Sequence, residues 1–244
     1  MYIKWLKNMK QFIYLVLSSA SFVSSVYALQ PPSLGSFGHS AAFVAPITKY
    51  GDEEHIILGR ELHGADAGLY DAFGGKRDAA DGNQPGATAA RELFEEGITA
   101  RTLGMSLSEV REYIALRTGN TRNIFAVQGR NGSRNVLYLT RFSNRDIRRF
   151  KNSFGRALRR APRGGGFHEK DKIASVRLTD VLQAIAATSS NRGVQVIAQV
   201  TDLKGNRSTQ QITLRPVLVS LLRGYAENRT YVQGTRPQIR FYGL

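Results

Sequence analysis

Residues 73–98 read FGGKRDAADGNQPGATAARELFEEGI and hold the chain's densest set of chemically capable side chains. A glycine pair, Gly74 and Gly75, leads through a polar loop into a short helix carrying Arg91, Glu92, Glu95 and Glu96. At about 100° per residue, positions i, i+3 and i+4 share one helix face. Glu92, Glu95 and Glu96 therefore fall on one side, and Ala90, Leu93 and Phe94 on the other, where they can meet a core. Three neighbouring carboxylates repel one another unless a cation lies between them. Hard oxygen ligands of this kind suit Mg²⁺ or Mn²⁺, which commonly bind together with a phosphate-bearing substrate. Taken alone, such a run also describes a solvated charged face.

The glycine lead-in separates the two readings. The segment resembles the Nudix box: a glycine, five residues, a glutamate, seven residues, then Arg-Glu-hydrophobic-x-Glu-Glu-x-Gly-hydrophobic. With Gly75 as the leading glycine, Arg91-Glu92-Leu93-Phe94-Glu95-Glu96 matches without a break. Two departures stand beside the match. Asp81 occupies the place of the first glutamate, and the spacing from Asp81 to Arg91 is two residues longer than the pattern, around 83–86. Gly97 follows Glu96 at once, so either the loop is one residue shorter or Ile98 takes the glycine's place. A glycine just past a helix is an ordinary C-terminal stop. It leaves Glu96 in the last turn, where the helix dipole disfavours a carboxylate by a few tenths of a kcal/mol or more. A bound divalent cation would offset that.

The resemblance implies an α/β fold of α+β character, an α/β/α sandwich built on a mixed sheet. It implies hydrolysis of a nucleoside diphosphate linked to another moiety, with water attacking phosphorus in a pyrophosphate link. That chemistry needs charge neutralisation and an activated water, and Mg²⁺ or Mn²⁺ supplies both. Glu92, Glu95, Glu96 and the carbonyl of Gly75 match the family's metal ligands, with Glu95 and Glu96 at the catalytic centre. Arg91 matches the box arginine, expected to hold the glutamates through a bidentate contact. A general base outside the box is Glu169, next to His168 and just after Gly164-Gly165-Gly166; the competing reading is an exposed loop residue. Arg60, Gly74 and Lys76 are candidate substrate contacts, although Arg60 and Lys76 are equally readable as surface charges. His39, His55 and His63 show no ligand spacing and read as structural or exposed.

The first 28 residues have the form of a secretory signal peptide. Lys4, Lys7 and Lys10 form a basic lead, an apolar run follows from 12 to 23, and Val26-Tyr27-Ala28 supplies a cleavage site. The run is short for a bilayer span and is interrupted by Ser18, Ser19 and Ser21, so a periplasmic or secreted protein is expected. A loose leader at 29–38 and one Nudix-like domain at 39–244 would follow. The chain contains no cysteine, which excludes disulfides and cysteine-ligated zinc. Its formal net charge of +15 falls by three, to +12, without the three leader lysines. A field of that sign attracts polyanions such as nucleotides, RNA or lipid headgroups without choosing among them.

The remaining elements must position the box. Apolar segments at 41–47 and 55–59 read as strands, and 64–68 as a loop. Ser106 and Glu109 form a capping box for a helix over 107–116. Strands at 123–128 and 135–142 flank Asn131-Gly132, a hairpin signal. Ser143 opens a helix to about Arg160 with an apolar stripe of Ile147, Phe150, Phe154 and Leu158 and arginines on its other faces. A strand at 173–178, a helix at 179–187, a hairpin of 194–201 with 209–214 and a helix at 216–226 complete the chain. The different-class alternative is a catalytically weak Nudix-fold binding protein that uses the basic helix at 145–160 for RNA, membrane or partner binding. The intact glutamate trio favours the enzyme. Asp81 and the shifted loop favour the alternative.

Overall fold

A computed structural model describes residues 38–97, 99–118, 123–128, 133–161, 169–231 and 241–243. The expected signal peptide, leader residues 29–37, Ile98, Asn131-Gly132, Gly164–166 and His168 lie outside the described residues. Strand β1 (Ala41–Tyr50) is the apolar run at the front of the chain, and its first eight residues are buried. Ala41, Phe43, Ala45 and Ile47 face one core while Ala42 and Val44 face another, so β1 is covered on both sides. Continuous apolarity is the signature of such a strand.

Around β1 lie β2 (Glu53–Glu61), β3 (Tyr70–Asp71), β4 (Phe73–Lys76), β5 (Ile124–Gln128), β6 (Arg134–Arg141), β7 (Lys170–Arg177), β8 (Gln195–Thr201), β9 (Arg207–Thr213) and β10 (Phe241–Gly243). The sheet order is β10-β5-β6-β1-β2-β7-β8-β9, with β3 on β2 and β4 on β1. The pairs β1–β6 and β10–β5 are parallel and the others antiparallel, so the sheet is mixed. Pro46 sits inside β1, where a missing N–H would normally break a ladder. It falls where the antiparallel partner changes, from β4 up to Val44 to β2 from Ile47 onward.

Helices cover both faces. Helices α1 (Pro85–Glu96), α3 (Leu107–Thr118) and α4 (Asn144–Arg160) place Ala90, Leu93, Ile114, Phe150 and Phe154 on one core. Helices α5 (Leu178–Ala186) and α6 (Pro216–Tyr231) place Val181, Ile185, Leu218 and Leu222 on the other. The result is the expected α/β/α sandwich. A one-turn α2 (Thr99–Thr102) and a 3-10 turn (Ala79–Asp81) complete the helical elements among the described residues. No helix among those residues is long and apolar enough to cross a membrane.

Most expected elements are present with shifted ends. Strand β7 starts at Lys170, ahead of the expected 173, because the charges of the polar Lys170-Asp171 pair are neutralised by partners on other elements. Gly97 caps α1 with φ −78°, a right-handed conformation, so it is no left-handed helix stop. A Cβ there would lie 2.5 Å from the Leu93 carbonyl oxygen, which gives glycine its reason.

Candidate active site

The site forms where β4 lies between β1 and α1. Gly74 and Gly75 are both required by close approach. A Cβ on Gly74 would meet the Ala42 carbonyl oxygen and the Phe43 Cα at 2.5 Å. A Cβ on Gly75 would meet the Glu92 carboxylate oxygens at 2.7 and 2.8 Å. The glycine pair therefore lets β4 pack on β1 while the first glutamate of α1 lies over it.

Arg91 organises the outer half of the site. Its guanidinium lies 3.0 Å from Asp81, 2.8 Å from Glu92 and 3.3 Å from Glu95, and it donates to the Lys76 carbonyl at 2.9 Å. The expected bidentate hold on the glutamates falls instead on Asp81, through Nε and Nη2, while Nη1 alone reaches Glu92 and Glu95 and Glu96 lies beyond it. Asp81 also accepts the Thr88 hydroxyl at 2.9 Å and the Asp78 amide at 2.9 Å. The Thr88 hydroxyl in turn lies 2.7 Å from His39 Nε2. Burial would raise the Asp81 pKa, but Arg91, the Asp78 amide and Thr88 together hold it below the usual value. The residue that departs from the box pattern is thus the anchor of the box arginine, reached in spite of the altered spacing.

The three glutamates share a helix side, but Glu92 and Glu95 reach Arg91 while Glu96 turns to other partners. Glu95 is half-buried against Arg91. Glu92 is buried, and its pKa is pushed up to about 7, first by burial and then by the charges of Glu95 and Glu169, with Arg91 opposing. Glu96 is 1% exposed and points inward, accepting the Gly74 amide at 2.7 Å and lying 3.4 Å from Lys170 Nζ. Burial, Glu61 and Glu92 raise its pKa against the pull of Lys170. Among the described residues no three acidic or histidine side chains converge at metal-ligand spacing.

Behind Glu96 lies a network that the sequence pattern did not reveal. Lys170, fully buried, pairs with Glu61 and Glu96. Arg215 pairs with Glu61 at 3.3 Å, Asp71 at 2.8 Å and Asp66 at 2.8 Å. Burial would lower the Lys170 pKa, but the surrounding carboxylates raise it. Adjacent members are separated by up to 154 residues in sequence, so no local spacing announces them.

The other expected contacts are placed as follows. Glu169 is exposed at the edge of the site, its charge felt by Glu92 and its carbonyl accepting the Leu62 amide at 2.8 Å. Arg60 is tied to Asp171 through both guanidinium branches. Lys76 is exposed at the end of β4. His39 is buried in the Thr88 contact, and His55 is partly buried, 3.7 Å from Glu53, away from the glutamate helix.

The donor types suit a divalent cation, although among the described residues no three of them converge on one point. The glutamate helix and the network behind it carry Asp81, Glu92, Glu95, Glu96, Glu61, Asp66 and Asp71 against Arg91, Lys170 and Arg215. By formal charge seven carboxylates face three cations here, inside a chain of net charge +15. Hard oxygen donors in excess of their counter-ions are what Mg²⁺ or Mn²⁺ bind.

No family model and no curated protein matches the chain. Among solved structures it is similar to the Nudix domain of Shewanella oneidensis NrtR complexed with ADP ribose, at 14% identity and TM-score 0.35, covering 67% of this chain and 86% of that one. It is similar to the Nudix hydrolase RenU of M. smegmatis at 12% identity and TM-score 0.36, covering 80% and 88%. It is also similar to a MutT/nudix family protein of Enterococcus faecalis at 13% identity and TM-score 0.38, covering 87% and 69%. Scores of this size carry no inference about function, which rests on the side chains.

Proposed function

We propose that the chain is a Nudix-type pyrophosphohydrolase, exported from the cytoplasm, that cleaves a nucleoside diphosphate linked to another moiety. The observation that carries this reading is the glutamate helix held against the glycine pair by Arg91, with more carboxylates than cations around it. Glu92, Glu95, Glu96 and the backbone at Gly75 would hold Mg²⁺ or Mn²⁺. The ion would neutralise phosphate charge and activate the attacking water.

The chain's own residues supply the rest. Arg91 fixes Glu92 and Glu95 relative to the Lys76 carbonyl, so the carboxylates present one geometry to the substrate. Lys76 is placed to meet a phosphate from the edge of β4, whereas Arg60 would have to share itself with Asp171. Glu169 is the candidate to take the water's proton: it is exposed beside the trio and lies outside the ligand set. Glu169→Gln should lose turnover with metal binding intact.

The central test is Glu96→Gln, assayed for release of the nucleotide product from ADP-ribose, dinucleoside polyphosphates and nucleotide sugars with Mg²⁺ or Mn²⁺. Hydrolysis should fall by orders of magnitude, and Mg²⁺-induced thermal stabilisation should disappear, since a ligand stabilises only in proportion to its binding. The metal-free melting temperature should hold or rise. Removing the Glu96 charge leaves Glu61 and Asp71 balanced by Lys170 and Arg215. Unchanged hydrolysis in Glu96→Gln would sink the site assignment. Export is tested by mass spectrometry of the periplasmic or secreted protein, where Leu29 should be the first residue and an intact Met1 or Met9 would contradict it.

A second reading, a binding protein with little turnover, is favoured by one surface feature. Arg145, Arg148, Arg149, Arg156, Arg159 and Arg160 of α4 are exposed. A shallow cavity of about 350 Å³ is lined by Arg101 of α2 with Ser153, Arg156, Ala157 and Arg160 of α4. None of the exposed large apolar residues lies on α4, which suits an aqueous polyanion such as RNA better than a bilayer. Replacing Arg148, Arg149, Arg159 and Arg160 with Gln should weaken RNA retention, most at low salt, with hydrolysis little changed. RNA binding by a parent that hydrolyses no nucleoside diphosphate derivative would make this the better reading.

A further inference from the structure

Lys170 is built into the fold with unusual care. It opens β7, and its side chain is fully buried. A register shift between β2 and β7 pairs Gly59 with Ile173 but Glu61 with Lys170, one extra residue on β7. Bulges of this sort re-aim side chains. Here it sets Lys170 abreast of Glu61. A Cβ on Gly59 would lie 2.9 Å from both Cγ and Cδ of Lys170, so glycine at 59 leaves room for the lysine stem. The ammonium ends between Glu61 and Glu96.

Glu96 depends on that ammonium. Arg91 contacts Asp81, Glu92 and Glu95, and among the described residues Lys170 is the cation within 4 Å of Glu96. The other Glu96 oxygen accepts the Gly74 amide, so the carboxylate is held at both ends. A buried carboxylate without a counter-charge is costly, and Lys170 supplies one whether or not a metal is present.

We propose that Lys170 is a positioning residue of the candidate metal site, a resident cation that holds Glu96 in place without metal and with which a divalent ion must share that carboxylate. The inference rests on the metal reading of the glutamate helix. Its consequence is a Glu96 carboxylate that is already held in place but binds an ion more weakly than it would without the lysine, because a fixed positive charge repels the incoming one.

The test uses the full chain and Mn²⁺, with binding read from the loss of the free-ion electron paramagnetic resonance signal. Three proteins are compared: the parent, Lys170→Met, and Lys170→Met combined with Glu61→Gln. Lys170→Met should lower the metal-free melting temperature, since Glu61, Asp71 and Glu96 would then face Arg215 alone. It should also tighten Mn²⁺ binding by about tenfold or more. The double variant should regain most of the lost melting temperature and keep the tighter binding, which covers the case in which the single variant folds poorly. A lysine with only a structural role would lower the melting temperature and leave Mn²⁺ binding unchanged or weaker; that result overturns the proposal while the metal reading stands. Binding by the variants but not by the parent would support it in its strongest form. No Mn²⁺ binding by any of the three would remove the metal reading and this inference together.

Discussion

Asp81→Ala should destabilise the fold by about 3 kcal/mol at neutral pH. The carboxylate accepts charged hydrogen bonds from Arg91 Nε and Nη2 and two neutral ones, from the Thr88 hydroxyl and the Asp78 amide. A bond to a charged group contributes roughly 1.5–3 kcal/mol and a neutral one about 1 kcal/mol. The full sum would overstate the loss, because Arg91 keeps Glu92, Glu95 and the Lys76 carbonyl and is not left as an unpaired charge. For a domain of this size about 3 kcal/mol corresponds to a fall of roughly 6–12 °C in melting temperature. The pH dependence has a definite sign. The Asp81 pKa is depressed in the fold, so its contribution is present above the ordinary carboxylate value of about 3.9 and is lost as pH falls through the lower folded value. Urea unfolding of parent and variant at several pH values reads both effects. A difference below about 0.5 kcal/mol at pH 7, or one that does not shrink in acid, would refute the view that Asp81 anchors the box arginine.

Gly155→Ala is expected to destabilise, although alanine normally improves a helix interior by about 0.5–1 kcal/mol. The new Cβ would stand 2.1 Å from the Leu203 carbonyl oxygen, so α4 or the β8–β9 turn must shift, at a net cost of about 1–3 kcal/mol by calorimetry. Metal binding should weaken as pH falls below about 7, where the Glu92 carboxyl takes up a proton that a metal must displace. Isothermal titration with Mg²⁺ between pH 6 and pH 8 checks this, and a flat profile would remove Glu92 from the ligand set.

The glycine-pair and glutamate-helix segment and its framework were legible because they are local. The glycine pair, Arg91 and the glutamates lie within one short segment, and the apolar runs of β1 and β2 need no distant partner to be read. Ser143 announced α4 and caps it through the Asp146 amide at 3.1 Å. The interior ion network was not legible. Lys170 and Asp171 look like solvated loop residues, and only Glu61 and Arg60, brought alongside by strand pairing, make them interior. Asp81 read as a defect because a box pattern records identity and spacing, whereas its function here is a contact with Arg91. Strand β9 is nearly all polar, with Ile212 its buried apolar residue, and it began two residues before its expected start at 209. The three residues of β10 gave no signal at all.

The change of partner at Pro46 divides one edge of the central strand into two hydrogen-bonded fields, while β6 runs unbroken along the other edge. Residues 41–44 are paired with β4, and 47–50 with β2. Proline itself carries no exchangeable amide, so the boundary is silent in deuterium labelling, and the two fields can exchange with separate opening energies. The glycine pair belongs to the first field. The site can therefore loosen by releasing β4 alone, without unzipping the β1–β2 pairing that ties the halves of the sheet together. The Gly74 amide, bonded to the Glu96 carboxylate, is the natural reporter of that motion. Its protection would rise when the carboxylate is held and fall when β4 lifts, which makes one backbone proton a direct gauge of how closed the site is.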